Sequence, residues 1–117
     1  MSRRLERLNN LLREELSELM LRRLKDPRLA EFVTITQVDV APDMDVAHVH
    51  VSVMGSAEEK KSTMIALTTA APYLRRELNG RVTIRRIPIL LFELDESIEQ
   101  GAKLLDLINQ VSREQHD

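Results

Sequence analysis

His48 and His50 stand two residues apart in the alternating segment "VAHVHVSVM" and project from the same side of it, so two imidazoles could meet one metal ion. No third ligand is placed near them by sequence. The chain has no cysteine, which excludes thiolate metal sites and disulfides. An exposed polar face of a half-buried strand accounts for the pair without a metal. Glu93 and Asp95 could form an acid–base couple, but a solvated strand end followed by a helix cap explains them better. The glycines Gly55, Gly80 and Gly101 are isolated, so no phosphate loop, nucleophile elbow or dinucleotide fingerprint is present. The expectation is a protein without catalytic residues, cofactor or metal.

The basic residues point to different chemistry. The segment "YLRRELNGRVTIRRIPILLFELD" gathers Arg75, Arg76, Arg81, Arg85 and Arg86 around a single carboxylate, Glu77, in a chain whose net charge is -2. Residues 1–28 carry net +3 and residues 73–86 net +4, whereas residues 29–72 and 87–117 are net acidic at -4 and -5. A near-neutral total thus hides two basic blocks, and a charged ligand responds to the local field. A solvated surface would be served by lysine. This chain uses far more arginine, whose planar fork matches phosphate bidentately. Arg3, Arg4 and Arg7 add a second hint. They lie at the positive end of their own helix dipole, where each costs a few tenths of a kcal/mol. Lys25 and Arg28, at the other end, are conventionally placed. Aromatic rings for stacking unpaired bases are scarce, since Phe32, Tyr73 and Phe92 all have apolar neighbours that suit a core role. Phosphate contact with a folded RNA fits better, with recognition by shape.

The elements that must position these groups follow from periodicity. Leu5, Leu8, Leu12, Leu16 and Leu19 form one stripe of an amphipathic helix, which "DPRL" should stop because Pro27 restricts Asp26. In "FVTITQVDV", Val33 and Ile35 share one face but Val38 and Val40 share the other, predicting a bulge near Thr36 and Gln37. After the turn "APDMD", the second strand puts Ala47, Val49, Val51 and Val53 on its inner side. Beyond the polar loop "GSAEEK", Met64, Leu67, Ala71, Leu74 and Leu78 repeat at helical spacing, ending at Asn79-Gly80. Pro72 interrupts this pattern at a cost of about 3 kcal/mol in a straight helix, so two helices joined at Ala70-Ala71-Pro72 are expected. A third strand is predicted within "VTIRRIPILLFEL", with Pro88 at an edge or bulge. The last helix, capped by Asp95 or Ser97, should turn Ile98, Leu105 and Ile108 inward. A chain of this length is expected to form one domain, residues 1–111, with a frayed tail at 112–117. With no apolar run of about 18 residues and no signal peptide in "MSRRLERLNN", the expected location is cytoplasmic, with no membrane partner.

Several stretches carry a resemblance: "DPRL", "TITQVDVAPDMDVAHVHVSV", "AAPYLRREL" and above all "RRIPILLFELDESIEQG". The last sets Arg86, Pro88, Leu90, Phe92, Asp95, Ser97 and Gly101 in one pattern. Over roughly residues 3 to 111 the chain resembles the bacterial ribosome-binding factor A family. The resemblance implies an α+β, KH-like (type II) single domain, a three-stranded sheet packed by helices in the order α-β-β-α-kink-α-β-α. It also implies RNA binding to 16S rRNA within the 30S small ribosomal subunit, during late maturation and rRNA processing, with cold adaptation as a consequence. Ribosomal proteins and a ribosome-associated GTPase are candidate further partners of a monomer. The family's interhelical Ala-x-Gly joint reads Ala70-Ala71-Pro72 here, which keeps a kink and removes backbone freedom. The RNA-facing residues implied are Arg75, Arg76, Arg81, Arg85 and Arg86, then Arg3, Arg4, Arg7, Lys25 and Arg28. A protein-binding adaptor acting through the acidic C-terminal helix is the alternative.

Overall fold

A computed structural model describes residues 3–24 and 32–115 of the chain. The "DPRL" stop, Lys25, Arg28 and the side chain of Phe32 lie outside the described residues. The leucine stripe produces α1 (Arg3–Arg23), with Leu12, Leu16 and Leu19 fully buried. Each such burial contributes about 1.5–3 kcal/mol. Asn9 on the same face accepts a buried hydrogen bond from the Val40 N–H (2.8 Å), pinning the end of β1 (Phe32–Val40) to α1.

β1 pairs antiparallel with β2 (Val46–Met54), and the register slips between Ile35 and Gln37, where parity predicted a bulge. The extra residue lets Ile35, Val38 and Val40 all reach the core. β2 alternates as expected and occupies the centre of the sheet, whose order is β1-β2-β3. β3 (Ile89–Leu94) runs parallel to β2, returned by the α2 crossover (Ala57–Asn79). The strand is shorter than predicted. Residues 82–88 are irregular, and Pro88, which has no N–H to offer a ladder, closes that stretch just before the pairing begins. Tyr73 and Phe92 pack partly buried against the core.

α2 begins closer to β2 than the polar loop suggested. Ser56 and Glu59 form a reciprocal capping box, each side chain bonded to the other's N–H at 3.1 Å. The helix then corrects a second expectation, because it is not divided at Ala70-Ala71-Pro72. Thr63, Leu67, Leu74 and Leu78 are all fully buried along one continuous phase that passes Pro72. Breaking the helix would turn one half of that stripe away from the sheet. Thr68, whose carbonyl Pro72 orphans, and Pro72 itself are both exposed residues, so the interruption falls on the solvent side of the helix.

The third correction concerns α3 (Ser97–Gln115). Asp95 does cap it, accepting the Ser97 N–H (2.9 Å), but the predicted inner face is not inside. Ile98 is 63 % exposed and Leu105 61 %, and Ile108 is exposed with them. α1 and α2 pack on the sheet, whereas among the described residues α3 is tied through its first turn, by Lys60 Nζ to Glu99 Oε2 at 2.7 Å. That bond raises the Lys60 pKa. Projection of α3 explains a radius of gyration of 17.2 Å, against about 13 Å for a close-packed domain of this size. The helix continues to Gln115, past the boundary expected at residue 111.

Candidate nucleic-acid interface

The arginines come together in space although three separate segments carry them. Arg75 and Arg76 sit in the last turns of α2, facing the irregular segment that carries Arg85 and Arg86. These four, with Asn79 and Ile87, line a surface depression of about 540 Å3. Arg75 Nε donates to the Ile87 carbonyl (2.9 Å), which uses one of five guanidinium N–H donors and fixes the fork in place. Arg76 and Arg85 are exposed. Arg85 and Arg86 also line a second depression, of about 600 Å3, whose opposite wall is the first turns of α1 with Arg4 and Arg7. Six of the predicted arginines therefore border two adjoining hollows that share a wall. Arg3 is exposed at the start of α1 but lines neither.

Arg81 stands apart from the other arginines of its block and from those on α1. Its Nη1 lies 3.3 Å from Glu15 Oε2 and 3.7 Å from Glu18 Oε2, with Arg81 and Glu15 side chains only 27 % and 24 % exposed. It is a tie between α1 and the end of α2, and its charge is already matched. Arg86 is matched more loosely, 3.5 Å from Asp45 Oδ1 with the two side chains 64 % and 56 % exposed. Ion pairs so open to solvent contribute little and exchange readily with another anion.

Sequence reasoning missed the residues between the arginines in the larger hollow. The β1–β2 turn contributes Asp43, Met44 and Asp45, and the segment before β3 contributes Thr83 and Ile84. The turn composition of "APDMD" explained these residues locally, so no signal in the sequence marked them as lining anything.

The outer face of the sheet holds the two histidines. His48 Nδ1 lies 2.7 Å from Glu93 Oε1, and His50 lies 3.4 Å from Asp39 Oδ2 and 3.6 Å from Glu93 Oε2. Among the described residues, no group of three or more His, Asp or Glu is arranged to hold a metal ion. Asp95 has a structural part. Hydrogen bonds from the Ser97 hydroxyl and N–H, then from Thr36 Oγ1 at 2.7 Å, lower its pKa to about 2. Among the described residues no helix is long and apolar enough to cross a membrane.

A family model described as ribosome-binding factor A matches residues 4–108. The chain belongs to that family. Ribosome-binding factor A of Dictyoglomus thermophilum is 46 % identical over 114 residues, covering 97 % of this chain and 95 % of that protein. Ribosome-binding factor A of Acetivibrio thermocellus is 46 % identical over 109 residues, covering 93 % and 89 %. Among solved structures, the crystal structure of ribosome-binding factor A from Thermus thermophilus superposes with a TM-score of 0.71 at 29 % identity, over 80 % of this chain and 97 % of that one. Coordinates of the factor from the same species, a homology model fitted into the cryo-EM map of its complex with the 30S subunit, give a TM-score of 0.61 at 31 % identity, over 74 % and 89 %. The family and the mixed three-stranded architecture therefore agree with the sequence reading.

Proposed function

We propose that this protein is a non-enzymatic, cytoplasmic ribosome assembly factor that binds the 30S subunit through folded 16S rRNA and aids its late maturation and processing. The observation that carries this reading is the pair of adjoining hollows bordered by Arg4, Arg7, Arg75, Arg76, Arg85 and Arg86. Membership of a family named for ribosome binding, and the 30S complex of the Thermus relative, support it. The factor acts by population shift. It binds one conformation of the RNA more tightly than the alternatives, and no covalent step is required. Growth in the cold, where misfolded RNA escapes slowly, is the condition in which that preference matters most. Ribosomal proteins and a ribosome-associated GTPase are the further partners proposed, for a monomer. Lys25 and Arg28 remain assigned by family resemblance.

The test is sedimentation with free small subunits and with complete ribosomes across a salt series. If about five phosphates are neutralised, the log–log slope of affinity against salt is roughly -3.5 to -4.5. Replacing Arg75, Arg76, Arg85 and Arg86 together by Ala abolishes subunit binding while the circular dichroism stays unchanged. Retained binding in that variant would refute the assignment. A second reading, an adaptor that binds protein through α3, has one observation in its favour, the exposed apolar side chains of that helix. A salt slope near zero, with binding lost on replacing Leu105 and Ile108 by Ser, would favour it.

A further inference from the structure

The larger hollow differs from the smaller in having two carboxylates and an apolar floor among its arginines. Leu8, Leu11, Met44 and Ile84 make the floor, while Asp43 and Asp45 stand on the β1–β2 turn. Leu8, Met44 and Ile84 are also the edge of the core, Asp43 holds the turn and Asp45 lies 3.5 Å from Arg86. Two carboxylates at the rim would nevertheless weaken a surface that only tracked phosphates. Its volume, about 600 Å3, is on the scale of a small-ligand pocket, about 300–1,000 Å3. That is room for one nucleotide and too little for a duplex.

The turn is held rigidly. Ala41 N–H bonds the Val46 carbonyl (2.8 Å), Met44 N–H bonds the Ala41 carbonyl (2.8 Å), and Ile89 N–H bonds the Asp45 carbonyl (2.9 Å). Asp43 Oδ1 accepts the Asp45 N–H at 3.1 Å. Met44 has φ 63°, a conformation no other non-glycine among the described residues adopts. An unbranched side chain in the left-handed region costs about 1–2 kcal/mol. Such strain persists where the surroundings over-determine it, often at binding sites. Here it lets Met44 line the floor while Asp43 and Asp45 flank it.

Resting on the RNA-binding reading, we propose that this hollow takes a single unpaired nucleotide splayed out of the folded RNA, and that it prefers guanine. Arg4, Arg7, Arg85 and Arg86 on the rim hold the flanking phosphates. The floor receives the face of the base, and the Met44 thioether makes a favourable contact with it. A carboxylate can only accept hydrogen bonds. Guanine alone offers two adjacent donors, N1–H and the N2 amino group, to one carboxylate. Uracil sets its single N–H between two carbonyl oxygens that the aspartates repel. Specific RNA recognition generally falls on such unstacked bases, and each good bidentate pair discriminates strongly.

Four fluorescein-labelled RNA hairpins, identical except for one bulged nucleotide (G, A, C or U), test this by anisotropy at fixed salt. The bulged guanine should bind about tenfold tighter than the bulged uracil. In the variant Asp43→Asn/Asp45→Asn that ratio should fall toward one without loss of overall affinity, because two negative charges are removed. In Arg75→Ala/Arg76→Ala all four hairpins should weaken alike and the ratio should survive. Equal affinity for the four hairpins, or a guanine preference retained by the double Asn variant, would overturn this inference and leave the RNA-binding reading standing. Failure of all four to bind at low salt would also overturn this inference, and only loss of salt-dependent sedimentation with small subunits as well would overturn that reading.

Discussion

α1 and α3 are both amphipathic helices of about twenty residues, and they meet opposite fates. α1 lays Leu12, Leu16 and Leu19 against the sheet until they are wholly buried, whereas α3 exposes every residue from Gly101 to Glu114. Residue pattern does not separate them, since the apolar spacing of α3 is as clear as that of α1. Position does. α1 is held across the domain by Asn9 to Val40 and by Glu15 to Arg81, while α3 is anchored at one end by Asp95 and Lys60. A hydrophobic stripe states that something must cover it, and the tethers along the helix decide whether the same molecule does.

The contrast is easiest to break by amide hydrogen exchange. α1 amides near Leu12 should exchange about 10^4-fold or more slower than free peptide, since they open only with the domain. α3 amides should be slowed by less than about tenfold, as befits an undocked helix of marginal length. Comparable protection in both would mean that α3 finds a cover in solution. Leu12→Ala should cost about 3 kcal/mol in urea denaturation, through lost burial and the cavity left behind. Leu105→Ala should stay within about 0.5 kcal/mol. Arg81→Ala should cost about 1 kcal/mol, discounted for partial solvent screening, and leave small-subunit affinity nearly unchanged, unlike replacement of the arginines proposed to face RNA.

Asp95 sharpens the comparison at the anchored end of α3. Its pKa is lowered from 3.8 to about 2, so the native state holds this proton less tightly than the unfolded chain. Its stabilising contribution is complete above about pH 4 and is lost as pH falls through about 2. Asp95→Asn should therefore flatten the stability profile between those values and leave its shape near neutrality unaltered, as followed by thermal denaturation across the acid range.

Much of the fold was legible because its signals are local. The leucine spacing gave α1, the parity change between Ile35 and Val38 gave the bulge, and Asn79-Gly80 gave the end of α2. Pro72 misled because its cost depends on which side of the helix it interrupts, and Thr68 and Pro72 lie on the exposed side. The arginine cluster could be read from charge, but which arginines are matched could not. Glu15 reaches Arg81 across 66 residues, a distance no local pattern spans. The same holds for Asp43 and Asp45, whose turn chemistry concealed that they face Arg85 and Arg86.

The Ile89–Asp45 bond is the first rung of the parallel pairing, and it also ties the β1–β2 turn to the segment that carries Arg85 and Arg86. The β1–β2 hairpin closes over a short loop, on a timescale of about 1–10 μs. The third strand must wait for a 23-residue helix to form and carry it back, and such distant contacts come late. A nascent chain therefore displays its hairpin well before it owns a complete cleft, and the arginines of its two walls face each other only in molecules whose last strand has already docked.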